Sequence, residues 1–204
     1  MKRLTALLLM LLCIAAAGQN VVTDFAKTLS DACASFGYTY SMSGQVPLSG
    51  SGTIRLQGDT FIMKGDGLEV YCDGTTRWTV DTAAEECYIE GVKEGGLDYE
   101  ANPALLVGAV DKAFKLKKTV STTFNGQKVT QAVLEPATKG GNITELSLML
   151  TATKKPACLL VNTSDGNVIT VTVKDFTLNS PNSGNAFSFD TKKLSKSYFI
   201  TDLR

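Results

Sequence analysis

From Tyr38 onward the chain alternates between apolar and polar positions. "YTYSMSGQV" sets Tyr38, Tyr40 and Met42 between small polar residues, and "GTIRLQ" puts Ile54 and Leu56 on one face with Arg55 on the other. Successive strand side chains point to opposite faces, so a period of two marks strands that bury one face. "TFIMKG", "LEVYC", "TRWTV" and "CYIEGV" follow, separated by Gly-Asp, Asp-Gly and acidic turns. Further on come "KKTVSTTF", "QKVTQAVLEP", "NITELSLMLTA", "ACLLVNT" and "VITVTVKDFTL". In these, Leu146, Leu148 and Leu150 share a face, as do Ile169, Val171 and Val173 opposite Thr170 and Thr172. The breaks Asn125-Gly126, Gly140-Gly141 and Asp165-Gly166 are hairpin chemistry. Short strands joined by tight turns, some ten or eleven of them, predict antiparallel sheet rather than alternating βαβ units, as one wide curved sheet or as a sandwich, which periodicity does not separate.

Two segments depart from this period. Residues 22–36 carry Val22, Phe25, Ala26, Leu29, Ala32, Cys33 and Phe36 at helical spacing, with Asp24, Lys27 and Asp31 on the wet face and Gly37 as a stop. Residues 99–114 offer Asn102 as an N-cap and Pro103 at the first helical position. Ala104–Ala113 is apolar on nearly every side, so this helix needs cover all round, as a core helix or as a plug over a cavity. The tail alternates Phe187 and Phe189 and then ends without a clear period.

The only tryptophan, Trp78, lies in "CDGTTRWTVD". A three-residue loop, Cys72-Asp73-Gly74, places Gly74 at a left-handed position. It pairs Leu68 with Trp78, Val70 with Thr76 and Glu69 with Arg77, matching apolar with apolar and charge with charge. On that register Trp78 and Val80 share the buried face with Leu68 and Val70. Trp78 then belongs to a filled core or lines a cavity, and periodicity leaves both open. A curved sheet this wide, with two helices to cover it, is able to enclose more space than its side chains fill.

The start of the chain adds a destination. Lys2 and Arg3 precede an apolar run, Leu4–Ala17, of 14 residues. That is shorter than the roughly 20 needed to span a bilayer. Ala15, Ala16 and Ala17 supply a small-residue cleavage pattern, so residues 1–18 are expected to be a secretory signal and 19–204 a single exported domain. A lipoprotein signal fits poorly, because Cys13 follows Leu12 inside the apolar run. Without Lys2 and Arg3, 18 basic residues face 20 acidic ones, which argues against a nucleic-acid partner. The chain has no histidine, which removes histidine-based triads and histidine metal sites. No CxxC is present, and no carboxylate pair stands out, since Glu85 and Glu86 are neighbours. The expectation is a protein that is not an enzyme and uses no cofactor. Cys33, Cys72, Cys87 and Cys158 allow three disulfide pairings in an exported protein, or stand as buried free thiols. If Cys72 and Cys87 sit on the outer strands of a meander they are about 9.6 Å apart, beyond the roughly 7 Å limit for a disulfide.

In their order, these motifs resemble the LolA-like periplasmic lipoprotein carriers. "CDGTTRWTVDTAAEECYI" is similar to that family's Asp-Gly-x-x-x-Trp hairpin, and "NPALLV" to the helix after it. "VLEPATKGGNITELSLML" is similar to its Leu-x-Pro strand and next hairpin. "KKPACLLVNTSDGNVITVTVKDFTLNSPNSGNAFSFDTKK" is similar to its closing strands. The resemblance covers most of residues 22–193. It implies an unclosed antiparallel β-barrel of about eleven strands under a helical lid, mainly β with helices (α+β). It also implies an apolar chamber that takes lipoprotein acyl chains from an inner-membrane lipoprotein-releasing transporter, crosses the periplasm as a monomer, and hands them to an outer-membrane acceptor. The chamber is expected to be lined by Phe25, Leu29, Val70, Trp78, Val80, Leu105, Leu106, Leu148 and Val171. One departure concerns gating: the family's Arg-Pro pair, whose arginine latches the lid, falls here near Gln57-Gly58-Asp59, with Arg55 offset by two. The other readings are a LolB-like outer-membrane acceptor, which calls for a lipidated N-terminal cysteine, and a structural surface β-protein with a filled core.

Overall fold

The computed structural model describes residues 21–44, 47–92 and 102–204. The expected signal segment, residues 45 and 46, and the first residues of "YEANPALL" lie outside the described residues. Among the described residues twelve strands form a single sheet: β1 (Cys33–Ser43), β2 (Leu48–Gln57), β3 (Thr60–Gly65), β4 (Leu68–Cys72), β5 (Thr76–Asp81), β6 (Glu86–Gly91), β7 (Phe114–Phe124), β8 (Gln127–Pro136), β9 (Ile143–Thr151), β10 (Pro156–Thr163), β11 (Val168–Asn179) and β12 (Phe199–Asp202). Their spatial order, β12-β6-β5-β4-β3-β2-β1-β11-β10-β9-β8-β7, ends on two edges that no described strand pairs, so the barrel-like sheet is open. Every pair is antiparallel except β12 with β6. The twelfth strand had no signal in the alternation, because four residues pairing with a strand far back in the chain carry little pattern of their own. No helix among the described residues is long and apolar enough to cross a membrane.

The turns follow local chemistry. Asp66 (φ 52°) and Gly67 (φ 80°) make the two-residue turn from β3 to β4, and Asn125 (φ 49°) and Gly126 (φ 77°) the one from β7 to β8. Both central residues of such a turn have positive φ, which favours Asn-Gly and Asp-Gly.

One face of the sheet, here the inner face, carries the main core. Ala34, Phe36, Ile54, Leu56, Phe61, Leu134, Leu146, Leu148, Leu150, Leu159 and Val171 all bury there. Helix α1, residues 21–30, lays Val22, Phe25 and Leu29 onto it. The expected helix over 22–36 is shorter than its periodicity suggests: Cys33–Phe36 open β1 instead, and Gly37 pairs with Thr53 inside that strand. Pairing with β2 on one side and β11 on the other offers these residues two ladders of hydrogen bonds as well as burial, which outweighs local helical spacing. The second helical segment is a 3-10 turn, Pro103–Gly108, with Asn102 as its N-cap accepting from the Ala104 amide at 2.9 Å. Ala104, Leu105, Leu106 and Val107 are buried against the core.

The outer face has its own covers. Val129, Met149 and Cys158 cluster on β8–β10, and Val80, Cys87 and Ile89 cluster on β5–β6 with Trp78, Phe189, Leu194 and Tyr198. The four described cysteines are free and buried, and burial raises each thiol, Cys158 to about 11. Cys72 faces the inner core and Cys87 the outer cluster, with β5 between them.

Candidate functional site

The hairpin holding Trp78 differs from expectation. Tyr71 pairs with Trp78, Val70 with Thr79 and Glu69 with Val80, a register three residues away from the expected one. The side-chain period is two, so an odd shift turns the whole strand over. The cause is the loop. Asp73 Oδ1 accepts from the Thr75 amide at 2.9 Å, the Thr76 amide at 2.8 Å and Thr75 Oγ1 at 2.8 Å. The Asp73 amide donates to the Thr76 carbonyl at 3.2 Å, which closes a four-residue turn. Burial alone would raise the Asp73 carboxyl, but these hydrogen bonds and one from Ser188 outweigh it and hold the group below its ordinary value. Gly74 does take positive φ, 92°. Arg77 binds Glu90 at 2.8 Å, and Glu69 binds Lys64 instead.

The expected chamber lining therefore divides. Phe25, Leu29, Val70, Leu105, Leu106, Leu148 and Val171 come together in the inner core. Trp78 and Val80 do not join them: they lie on the outer face under the C-terminal tail. Phe25, Leu105, Leu106, Leu148 and Val171 are at most 2% exposed, packed among α1, the 3-10 segment and the sheet. Leu29 borders a small recess of about 70 Å³ with Leu56 and Gly108.

An apolar pocket sits beside that core, at one end of the inner face. Its volume is about 310 Å³, at the lower end of ligand sites. Tyr38, Tyr40 and Met42 of β1, Leu48 of β2, Met63 of β3, Leu68 of β4, Ile169 of β11, and Pro103 and Ala104 of the 3-10 segment line it. Gly65 also lines it, and Gly50 and Gly52 lie under the tyrosine rings beside it. A Cβ at Gly52 would strike the Lys64 carbonyl and the Tyr38 ring, and one at Gly50 the Tyr40 ring and Asp66 Oδ2. A Cβ at Gly65 would strike the Ser51 carbonyl. With no side chains there, the two tyrosine rings lie along the sheet with centroids 6.4 Å apart.

The polar groups of the pocket are few. Asn102 Nδ2 donates to Tyr38 Oη at 3.2 Å and also approaches Met63 Sδ. Burial raises the Tyr38 and Tyr40 hydroxyls, with the Asp66 carboxylate adding to both. Among the described residues no group of three or more metal-ligating side chains assembles. The alternation "YTYSM" signalled the inward face of these tyrosines. What it lacked was the partner: Gly52 and Gly50 meet Tyr38 and Tyr40 only once β1 and β2 pair, and Gly65 joins Gly52 through the β2–β3 ladder.

Arg55 projects from the outer face. Its Nη2 donates to the Ala186 carbonyl at 2.6 Å and its guanidinium lies 5.0 Å from the Phe187 ring centroid. It ties down the tail, and does not latch the inner cover.

Comparison with known proteins agrees with this architecture. The family described as outer membrane lipoprotein carrier protein LolA matches residues 43–190. The fold is similar to that of an uncharacterized conserved protein from Thermus thermophilus, at 12% identity and a TM-score of 0.54, covering 91% of this chain and 99% of that one. It is also similar to a putative outer membrane lipoprotein-sorting protein domain from Vibrio parahaemolyticus, at 13% identity and 0.47 over 85% and 97%. A LolA superfamily protein from Nitrosomonas europaea matches at 7% and 0.47 over 82% and 97%. No curated protein matches the chain in sequence.

Proposed function

Because the chain belongs to the LolA family of outer membrane lipoprotein carrier proteins, we propose that it is a carrier that shields lipoprotein acyl chains while they cross the periplasm. The observation that carries this reading is the apolar pocket of about 310 Å³ on the inner face, open at one end and walled by the 3-10 segment. Acyl methylenes entering it leave water, a gain of about 0.8 kcal/mol each. A chain longer than the pocket continues past Ala104, which borders both pocket and core, toward Leu105, Leu106 and Val70 as the 3-10 segment lifts. Phe25, Leu29, Leu148 and Val171 form the wall behind them. No bond is made or broken, and the work is binding and release.

Delivery runs down a difference in affinity, since a cargo moves only to a site that binds it better. An inner-membrane lipoprotein-releasing transporter loads the carrier, and an outer-membrane acceptor unloads it. The signal segment at residues 1–18 directs export, and the carrier acts as a monomer.

The test is to purify the mature protein from periplasm, extract it for bound lipid, and titrate the stripped protein with a fluorescent long-chain acyl probe. Bound acyl lipid and displacement of the probe by an acylated peptide are expected. A lipid-free protein that takes up no probe would overturn the carrier reading.

A further inference from the structure

One charged group stands at the pocket, and nothing in the carrying of acyl chains requires it. Asp66 occupies the turn between β3 and β4, and its carboxylate extends over Gly50 beside the Tyr40 ring. A turn aspartate of this type is ordinarily free to point into water. Here Asp66 Oδ1 accepts from the Ser51 amide at 3.3 Å, which holds the side chain over the sheet, and the absence of a side chain at Gly50 makes the room. No lysine or arginine pairs with Asp66 among the described residues. The nearest candidate in sequence, Lys64, is bound to Glu69 at 2.8 Å on the opposite face. Asn102 is occupied by Tyr38 and by the cap of the 3-10 segment.

The result is a carboxylate beside two tyrosine rings at the apolar pocket, hydrogen-bonded by the Ser51 amide and the Tyr40 hydroxyl but paired with no lysine or arginine among the described residues. A carboxylate accepts charge-assisted hydrogen bonds, and aromatic faces attract cations. We propose that Asp66, with the rings of Tyr38 and Tyr40, recognises a primary ammonium carried beside the acyl chains of the cargo. The chemistry fits the free N-terminal ammonium of a diacylated lipopeptide. A phospholipid ammonium brings a phosphate with it, and the described lining holds no lysine or arginine to receive one. This rests on the carrier reading of the same pocket.

The test compares three amphiphiles on the intact mature protein: a diacylated cysteinyl peptide with a free α-amine, the same peptide N-acetylated, and phosphatidylethanolamine with equal acyl chains. Each is measured by displacement of the fluorescent acyl probe, on the wild type and on Asp66→Asn. Asparagine keeps the turn, because Asn-Gly suits two positive φ values as well as Asp-Gly does. The wild type is expected to bind the free amine about tenfold more tightly than the acetylated peptide, as for a hydrogen bond to a charged group. Asp66→Asn is expected to bind the two alike, at the affinity the wild type has for the acetylated peptide. Phosphatidylethanolamine bound as tightly as the free-amine peptide supports ammonium recognition and assigns the source to phospholipid. Equal wild-type affinities for free and acetylated peptide, or a preference that survives in Asp66→Asn, overturns the inference and leaves the carrier reading standing. Failure of every amphiphile and of the probe overturns both.

Discussion

The inner and outer faces of the sheet are covered by different means. On the outer face the cover is the C-terminal tail, and directional bonds pin it. Gln57 exchanges hydrogen bonds with Asn182 at 3.1 and 2.7 Å, Arg55 holds Ala186, and Ser188 reaches Asp73 at 3.4 Å. Asp190 then caps the short 3-10 turn Thr191–Lys193, and Phe189 packs on Tyr71 with ring centroids 4.6 Å apart. On the inner face the cover is α1 and the 3-10 segment, held mainly by apolar contact, with the Asn102–Tyr38 hydrogen bond at the start of the 3-10 segment. Its ion pairs, Lys154 with Asp24 and Lys112 with Asp59, are exposed. Such pairs contribute little. Apolar burial is non-directional, so methylenes of a ligand are able to replace methylenes of a side chain at small cost, whereas a hydrogen-bonded cover loses its partners when displaced. On the proposed carrier function, the inner cover is the one that exchanges with cargo and the outer cover the fixed clasp.

Four substitutions bear on that contrast. The largest effect is expected from Leu106→Ala, where a fully buried side chain of the inner cover leaves a cavity. Urea unfolding should show a loss of about 3–4 kcal/mol, and affinity for the acyl probe should change with it. Trp78→Ala should cost about 2–3 kcal/mol, less than a fully buried tryptophan, because Trp78 is only half buried under the tail. Its acyl affinity should stay within about twofold of wild type, and Trp78 fluorescence should not shift when the probe binds. A strong loss of binding in Trp78→Ala would break the assignment of the two faces. Gly52→Ala brings a Cβ against the Lys64 carbonyl and the Tyr38 ring. A destabilisation of about 2 kcal/mol is expected, with weaker probe binding as Tyr38 is pushed into the pocket.

The smallest effect is at Asp73. Asp73→Ala removes the acceptor of the loop and of the Ser188 contact, at a cost of about 1 kcal/mol at pH 7. Its folded pKa is depressed, so the unfolded chain takes up the proton first as the pH falls. The contribution of Asp73 is complete above the unfolded value of about 3.9, and it disappears as the pH drops through the lower folded value. The gap between wild type and Asp73→Ala should therefore narrow below about pH 4 in thermal melts taken across that range. A constant gap would place the role of Asp73 outside its charge.

Much of the architecture was legible in the chain. β3, β4 and β8 fall where alternation put "TFIMKG", "LEVYC" and "QKVTQAVLEP", and Asn102-Pro103 opens a helical turn as its capping chemistry indicated. Seven of the nine expected lining residues gather in one core, because period-two and period-3.6 patterns report which face a residue buries. The pocket itself was not legible. Its walls are tyrosines, methionines and aliphatic residues drawn from five separate strands and the 3-10 segment, which alternation reads as ordinary strand positions.

The chain by itself determined the strands, most of the turns and the sheet class, since these depend on neighbours two to four residues away. It determined the absence of histidine chemistry, for the residues needed are not there. Only the tertiary structure decided which face Trp78 takes. Both faces of β5 alternate plausibly, and the choice rested on three hydrogen bonds at Asp73 and on a tail more than 100 residues further along. It also decided where space remains, because a cavity is what is left after every element has packed, and no single segment carries its record.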